Sequence, residues 1–290
     1  MDPLAKLAYI WRHPANRGRR VRSLARAALW QAHKRLGGRH WDVPLPGGRV
    51  VRGYPHVHST GPLVYAGLYD WAEMRFLLRY LRPGDGFLDV GGNVGVYSLL
   101  ASAVLGEGEI HVFEPAPESL AILEENLRLN ALANARIHPL AAGEREGAVR
   151  LTRGLESMNR VLRARGEAEA SASHEVRQAA LDGEVGHVPF ALGKMDVEGA
   201  ELPALRGAER MLAARNPPVW ILEVGDAGRA FGYGPEDLAA HLRARGYGLA
   251  SYDPDANRLR WAPDAWRTSQ NVIAVAEDRM GEAEERVRGA

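Results

Sequence analysis

Asp89-Val-Gly-Gly-Asn-Val-Gly95 closes a short apolar run, and Glu114 closes the next one, 25 residues after Asp89. A chain that leaves a strand and enters a helix within a few residues needs positive φ angles or close backbone approach, which glycine allows. N–H groups exposed at the start of such a helix can meet a negatively charged part of a ligand. A carboxylate ending the second strand can accept hydrogen bonds from both hydroxyls of a ribose. The pattern therefore suits nucleoside binding; the alternative is an ordinary strand-to-helix turn with a surface Glu. Gly91-x-Asn93-x-Gly95 is not the Gly-x-Gly-x-x-Gly of dinucleotide sites, and no glycine is left to approach a pyrophosphate. Nor is Gly193-Lys194-Met195 a P-loop, since the upstream glycine is missing.

Further acids and histidines stand where chemistry is possible. Asp196 and Glu198 lie two apart at a later strand-to-helix junction and project to related sides if the backbone is extended there. Glu198 and Glu201 also suit the N-terminus of the following helix, and capping is the expected role of Glu201. Asp196 is expected in the site, as a ligand contact or as a base. His56 and His58 alternate within Tyr54-Pro-His-Val-His-Ser59 and would share one side of an extended chain. Histidine titrates near working pH and can serve as a base, or be merely hydrogen-bonded or exposed. Tyr65, Tyr69 and Trp71 suit packing as well as binding.

Asp89-Val-Gly-Gly-Asn-Val-Gly-Val-Tyr-Ser98, Phe113-Glu-Pro115, Leu181-Asp182 and Lys194-Met-Asp-Val-Glu-Gly-Ala-Glu201 resemble the FkbM family of S-adenosylmethionine-dependent methyltransferases. The similarity runs from about Tyr65 to Ala276, and Asp-Val-Glu-Gly-Ala-Glu is its specific part. Gly92 departs from the Ala common in the family. The resemblance implies a Rossmann-like domain and methyl transfer, usually to a hydroxyl oxygen. It implies that S-adenosylmethionine meets Asp89, Gly91, Asn93 and Gly95 at the glycine turn and Glu114 and Pro115 at the ribose. Ala141, in a small apolar patch, would face the adenine. Glu73 resembles an acid that helps hold the cofactor's amino group. Asp196 would lie near the methyl donor, and Asp196 or His58 would take the acceptor's proton.

No metal is expected, although Asp196 and Glu223 could hold Mg²⁺. The acid-amide pair usual after the fifth strand of metal-dependent relatives is missing, because Val224-Gly225 follows Glu223. The fourth strand ends in Met195-Asp-Val-Glu198 rather than in an Asn/Asp-Pro-Pro-aromatic motif, which disfavours methylation of nucleobase amines. The expected acceptor is a hydroxyl of a saccharide, glycolipid or natural product, possible on a lipid or phosphate carrier. The rivals are a methyltransferase acting on nitrogen or nucleic acid, and a nicotinamide oxidoreductase.

These residues need a sheet to hold them. Apolar runs at 86–90, 109–113, 136–140, 189–195, 218–224, 247–252 and 271–276 read as strands. Helical periods lie at 69–81, 94–104, 117–130, 200–214 and 235–245. Shorter strands are expected near 148–153 and 176–181, with an irregular stretch from Gly154 to about Ser173. The alternation predicts an α/β fold: a doubly wound, mostly parallel seven-stranded sheet, its last strand antiparallel by family resemblance. Residues 1–64 form a helical and β extension, 65–276 the catalytic domain, and 277–290 a polar tail expected to be frayed or disordered.

The 290 residues include 46% hydrophobic and 25% charged side chains, enough to bury a full core. There is no cysteine, which removes disulfides, Cys-ligated zinc and thiol nucleophiles. No apolar run approaches the length of a membrane span, and the N-terminus lacks a signal-peptide pattern, so the cytoplasm is the expected location. The net charge of +1 conceals an asymmetry: residues 1–52 carry 12 Lys and Arg against two acids, Asp2 and Asp42. Within them Arg19 to Leu36 reads as an amphipathic helix, with Val21, Leu24, Ala25, Ala28, Leu29, Ala32 and Leu36 at helical spacing among basic residues. Its apolar stripe either packs on the core or meets an anionic membrane or phosphate-bearing substrate. Nucleic acid is the less favoured partner, since the rest of the chain is acidic.

Overall fold

The computed structural model describes residues 3–152, 161–162 and 173–289. Helices α1 (Pro3–Arg12) and α2 (Arg20–Arg35) precede a hairpin of β1 (Trp41–Pro44) and β2 (Val50–Gly53). The hairpin turns at Pro46–Gly48, where Gly47 and Gly48 both hold positive φ. Helices α3 (Thr60–Ala66) and α4 (Trp71–Tyr80) follow. The chain then alternates through β3 (Phe87–Val90), α5 (Val96–Leu105), β4 (Ile110–Phe113), α6 (Pro117–Leu129) and β5 (Ala135–His138). A small separate sheet holds β6 (Ala141–Ala142), β7 (Gly147–Thr152), β8 (Val161–Leu162) and β9 (Ser173–Ala179), in the order β6-β9-β7-β8. Next come α7 (Leu181–Glu184), β10 (Leu192–Met195), α8 (Glu201–Arg206), α9 (Glu209–Ala213), β11 (Val219–Glu223) and α10 (Pro235–Ala244). The last elements are β12 (Tyr247–Asp253), β13 (Arg258–Trp261), β14 (Asn271–Ala276) and α11 (Met280–Arg288).

The central sheet runs β13-β12-β14-β11-β10-β3-β4-β5. Its strands β11, β10, β3, β4 and β5 are parallel, and β14 inserts antiparallel between β11 and β12. This is the mostly parallel α/β sheet that the alternation predicts. Every residue of β3, β4 and β10 is buried, as strands covered on both faces must be. One apolar layer joins Leu192, Val219 and Ile221 to Leu77 and Leu99; the other joins Leu88, Met195 and Trp220 to Leu205 and Leu242. The first layer also takes in Ile10, Ala27, Trp30 and Val43, so the N-terminal segment shares the core of the sheet.

Several expectations are corrected. Among the described residues the sheet has eight strands rather than seven, because β13 pairs antiparallel with β12 at the edge. The third strand stops at His138, and Ala141–Ala142 pairs instead with β9 in the small sheet. The helix expected over 200–214 is broken into α8 and α9. A Cβ at Gly207 would stand 2.0 Å from the Gly143 carbonyl oxygen, and Asp182 caps α9 through the N–H groups of Arg210 and Met211. The irregular stretch expected from Gly154 to Ser173 lies outside the described residues, apart from β8 and the first residue of β9.

The polar tail is neither frayed nor disordered over 280–288. Met280, Ala283 and Val287 form a narrow apolar stripe, buried against α4 and β13, and Arg286 reaches Asp85 at 2.6 Å. Average polarity hides three residues at helical spacing. In α2 the helix forms where expected but faces the other way. Ser23, Ala27 and Trp30 are buried, whereas Val21, Ala25, Ala28, Leu29, Ala32 and Leu36 are exposed. The indole of Trp30, stacked on His33 and edge-on to Trp41, has more area to bury than a row of alanines and sets which face turns inward.

Candidate active site

The carboxyl ends of the parallel strands meet at a cavity of about 300 Å³. At its floor, β3 delivers Asp89, fully buried, whose Oδ2 accepts a 2.6 Å hydrogen bond from the Ser98 hydroxyl. Asp89 Oδ1 has no hydrogen-bond partner among the described residues. Burial raises the pKa of this carboxyl, against the pull of Lys194 and Ser98. The turn that follows is pressed onto β10: a Cβ at Gly91, where φ is +84°, would lie 1.8 Å from the Asp196 carbonyl oxygen. Glycine is required there by both space and φ. A Cβ at Gly92 would stand 2.1 Å from Val112 Cγ1, so Gly92 fits its own neighbour.

Asn93 follows in the left-handed region, with φ 51°. Its N–H donates to Glu114 Oε2 at 2.9 Å, while Ala116 N–H donates to Glu114 Oε1 at 2.8 Å. Two backbone donors thus fix the Glu114 carboxylate and leave lone pairs on both oxygens. Burial nevertheless pushes its pKa up to about 7. Asn93 Oδ1 is the second buried acceptor of the turn without a partner among the described residues. Phe113, Leu140, Ala141, Ala142, Leu151 and Val161 make the apolar end of the cavity.

Opposite the glycine turn, β10 ends in Lys194-Met-Asp196. Lys194 is almost wholly buried, and its Nζ lies 3.1 Å from Asp196 Oδ2 and 4.7 Å from the centre of the Tyr97 ring. Burial opposes its charge, but Asp196, Asp89 and Asp70 outweigh that and hold the ammonium above its ordinary pKa. Tyr97 donates its hydroxyl to Asp70 Oδ2 at 2.9 Å, which ties α4 to α5 beneath the cation. Glu223, ending β11, is hydrogen-bonded to Asp196. Burial first, then the charges of Asp196, Glu201 and Glu198, push its pKa up to about 9. At neutral pH, then, Glu223 carries a proton. Among the described residues no group of three or more His, Asp or Glu is placed to hold a metal ion.

The segment after β10 is tightly wound, with φ 54° at Glu198 and 98° at Gly199. Glu201 Oε1 accepts from Val197 N–H at 3.0 Å and Gly199 N–H at 3.2 Å. The Tyr233 hydroxyl braces it from 3.0 Å. Glu201 thus bonds the loop that presents Asp196 and does not cap the helix it opens, contrary to the role expected of it; that helix has no side-chain cap. Glu198 lines the cavity.

The structure brings Asp89, Gly91, Asn93, Glu114, Pro115, Ala141, Asp196 and His58 onto one cavity wall. Gly95 sits behind it as the left-handed residue that starts α5. Glu73 is not on the wall either. It faces an adjoining groove between α4 and the β12–β14 edge, where burial and then Asp70 push its pKa up to about 7. Nor do the two histidines act as a pair: the chain turns there rather than extending, so His58 reaches the cavity while His56 packs on Tyr54. Sequence reasoning missed Asp70, Gln270 and Asn271, which also line the cavity. Gln270 and Asn271 enter because β14 is antiparallel and begins where its neighbours end, with Asn271 paired to Glu223.

The chain is similar to several known proteins. The FkbM methyltransferase domain matches residues 89–249. Methyltransferase 1 of Beauveria bassiana is 29% identical over 149 residues, covering 44% of this chain and 60% of that protein. The 31-O-demethyl-FK506 methyltransferase of Streptomyces tacrolimicus is 33% identical over 110 residues, covering 37% of this chain and 40% of that one. The chain thus spans less than two thirds of the length of either relative, 60% of the first and 40% of the second. A solved FkbM methyltransferase from Methylobacillus flagellatus aligns with a TM-score of 0.45 at 17% identity, covering 67% of this chain and 44% of that one.

Proposed function

The chain belongs to the FkbM methyltransferase family, and from that premise we propose that it transfers a methyl group from S-adenosylmethionine to a hydroxyl oxygen of a saccharide, glycolipid or natural product. One observation carries the reading of the donor. The buried oxygens Asp89 Oδ1 and Asn93 Oδ1 lack donors among the described residues, and they share the cavity with a Glu114 carboxylate already oriented by two N–H groups. Such a set fits a ligand that brings an ammonium and ribose hydroxyls but no pyrophosphate. The apolar patch at Ala141 suits an adenine face, and the glycine turn leaves room for the methionine portion.

When bound, S-adenosylmethionine supplies a methyl group already activated by a sulfonium. The chain's share is to align the acceptor hydroxyl, exclude water and take its proton. Orientation contributes about 7–11 kcal/mol in favourable cases, and a placed base adds roughly 10²–10⁴-fold. Asp196, held by Lys194 and partly open to the cavity, or His58, which also lines it, is the base. The name of the Streptomyces relative, an O-demethyl substrate, supports an oxygen acceptor. Mg²⁺ between Asp196 and Glu223 is not part of this proposal, since the Lys194 ammonium already pairs with Asp196 at 3.1 Å. Among the described residues no helix is long and apolar enough to cross a membrane.

Thermal unfolding with added S-adenosylhomocysteine or NAD tests the donor. At a hundredfold excess over Kd a ligand adds about 2.7 kcal/mol, so S-adenosylhomocysteine should raise Tm by several degrees while NAD does not. Asp89→Asn should reduce that rise. A rise with NAD and none with S-adenosylhomocysteine would sink the proposal.

A further inference from the structure

Eight large apolar side chains are strongly exposed among the described residues, and six of them fall within the first 36: Leu4, Leu7, Trp11, Val21, Leu29 and Leu36. Scattered exposed leucines need no explanation, but a cluster of this kind marks a contact surface. The first three lie on one stripe of α1, at positions 4, 7 and 11, and the others on the outward stripe of α2. The two helices pack antiparallel: Arg20, opening α2, donates to the Trp11 carbonyl and covers its ring, and Lys6 crowds Lys34 at the other end.

The charge around this surface has one sign. Residues 1–52 hold 12 Lys and Arg against two acids, while the rest of the chain is acidic on balance. Within that segment, among the described residues, ion pairs tie down Arg17, on Asp255, and Arg52, on Asp42 and Glu125. Arg22 and Arg35, exposed beside the apolar stripe of α2, have no carboxylate partner among the described residues. Aliphatic side chains and a tryptophan set among arginines match a bilayer with anionic headgroups, where apolar burial and charge attraction act together. A nucleic acid would meet the arginines but bury none of the leucines.

We propose that the outer faces of α1 and α2 dock the chain on the surface of an anionic lipid bilayer. The same layer is wired to the cavity. Asn16 and Arg26 donate to the Tyr65 carbonyl, Gln31 donates to the Tyr65 hydroxyl, and α3, which carries Tyr65, begins beside the cavity-lining His58 and Pro62. Docking through α1 and α2 would bring the chain to an acceptor carried on lipid, a corollary that rests on the methyl-transfer reading.

The test is co-sedimentation of the full chain with phosphatidylcholine vesicles, with and without phosphatidylglycerol, beside the variant Leu7→Gln/Trp11→Gln/Leu29→Gln. The chain should pellet with the anionic vesicles alone, less so at high salt, and the variant should partition at least about tenfold more weakly. Its response to S-adenosylhomocysteine should match that of the parent and its Tm should fall only slightly, since Leu7, Trp11 and Leu29 are each about half exposed and none lines the cavity. Absence of binding, or binding that the variant leaves intact, overturns the proposal. So does a preference for short RNA or duplex DNA over the vesicles, or a dimer that the variant dissociates while no vesicle binds. Vesicle binding without a response to S-adenosylhomocysteine would instead overturn the donor reading and leave the docking surface standing.

Discussion

Asp70, Asp89 and Asp196 all act on the ammonium of Lys194, itself almost completely buried. Such a cation is costly to desolvate and is held by its partners; removing it leaves carboxylates in low dielectric without an opposing charge. Lys194→Met should therefore cost about 3 kcal/mol, the lower end of the usual range because Asp196 keeps some solvent. Chemical denaturation measures this, and the loss should shrink in acid, where Asp89 and Asp70 protonate. An unchanged midpoint at pH 8 would contradict the role given to Lys194. Asp89, Glu114 and Asp196 were legible in the sequence because each closes an apolar run, and strand ends face ligands in such sheets. Lys194 was in view without a role. The signal was its place inside a wholly buried strand, where an ammonium needs carboxylates. Asn93 was legible as part of the turn, but not the orphaned oxygen that makes it useful.

At the scale of elements, periodicity identified the central strands and helices, because both faces of β3, β4 and β10 are covered and every residue is buried, with Asp89, His111 and Lys194 the exceptions to an otherwise apolar pattern. It failed where a few large side chains outweigh an average. Trp30 turned α2 over, and Met280, Ala283 and Val287 anchor α11 within a segment whose composition reads as a tail. The start of β14 shows a different failure. Its antiparallel direction was expected, and that direction already puts Gln270 and Asn271 at the ligand edge. The consequence was available from topology without any contact map. Since Val287 is fully buried, Val287→Ala should cost about 2 kcal/mol, read as a lower denaturation midpoint. A tail that was merely frayed would show no change.

Over the whole molecule, two sets of carboxyls pull stability in opposite directions along pH. Asp42, Glu109, Glu125 and Glu209 are held below their ordinary pKa by hydrogen bonds, to Arg52, Arg136, Tyr54 and Arg245 first of all, and what they contribute is lost as pH falls through those lowered values. Glu73 and Glu114, near 7, and Glu223, near 9, are raised by burial. The folded state holds their protons after the unfolded chain has released its own, so their contribution is complete below the ordinary carboxylate range. It is lost as pH rises through about 7 and then 9. The ligand-free chain should accordingly show its highest Tm on the mildly acidic side and lose stability towards pH 9. A donor whose hydroxyls bond to ionised Glu114 works against that loss, because it favours the charged form. The rise in Tm given by S-adenosylhomocysteine should therefore be larger at pH 8 than at pH 5.5, and Glu114→Gln should flatten the difference while weakening the response. Equal rises at both pH values in the parent chain would show that Glu114 does not meet the ligand. The proposed ribose contact would then fall to another residue of the cavity.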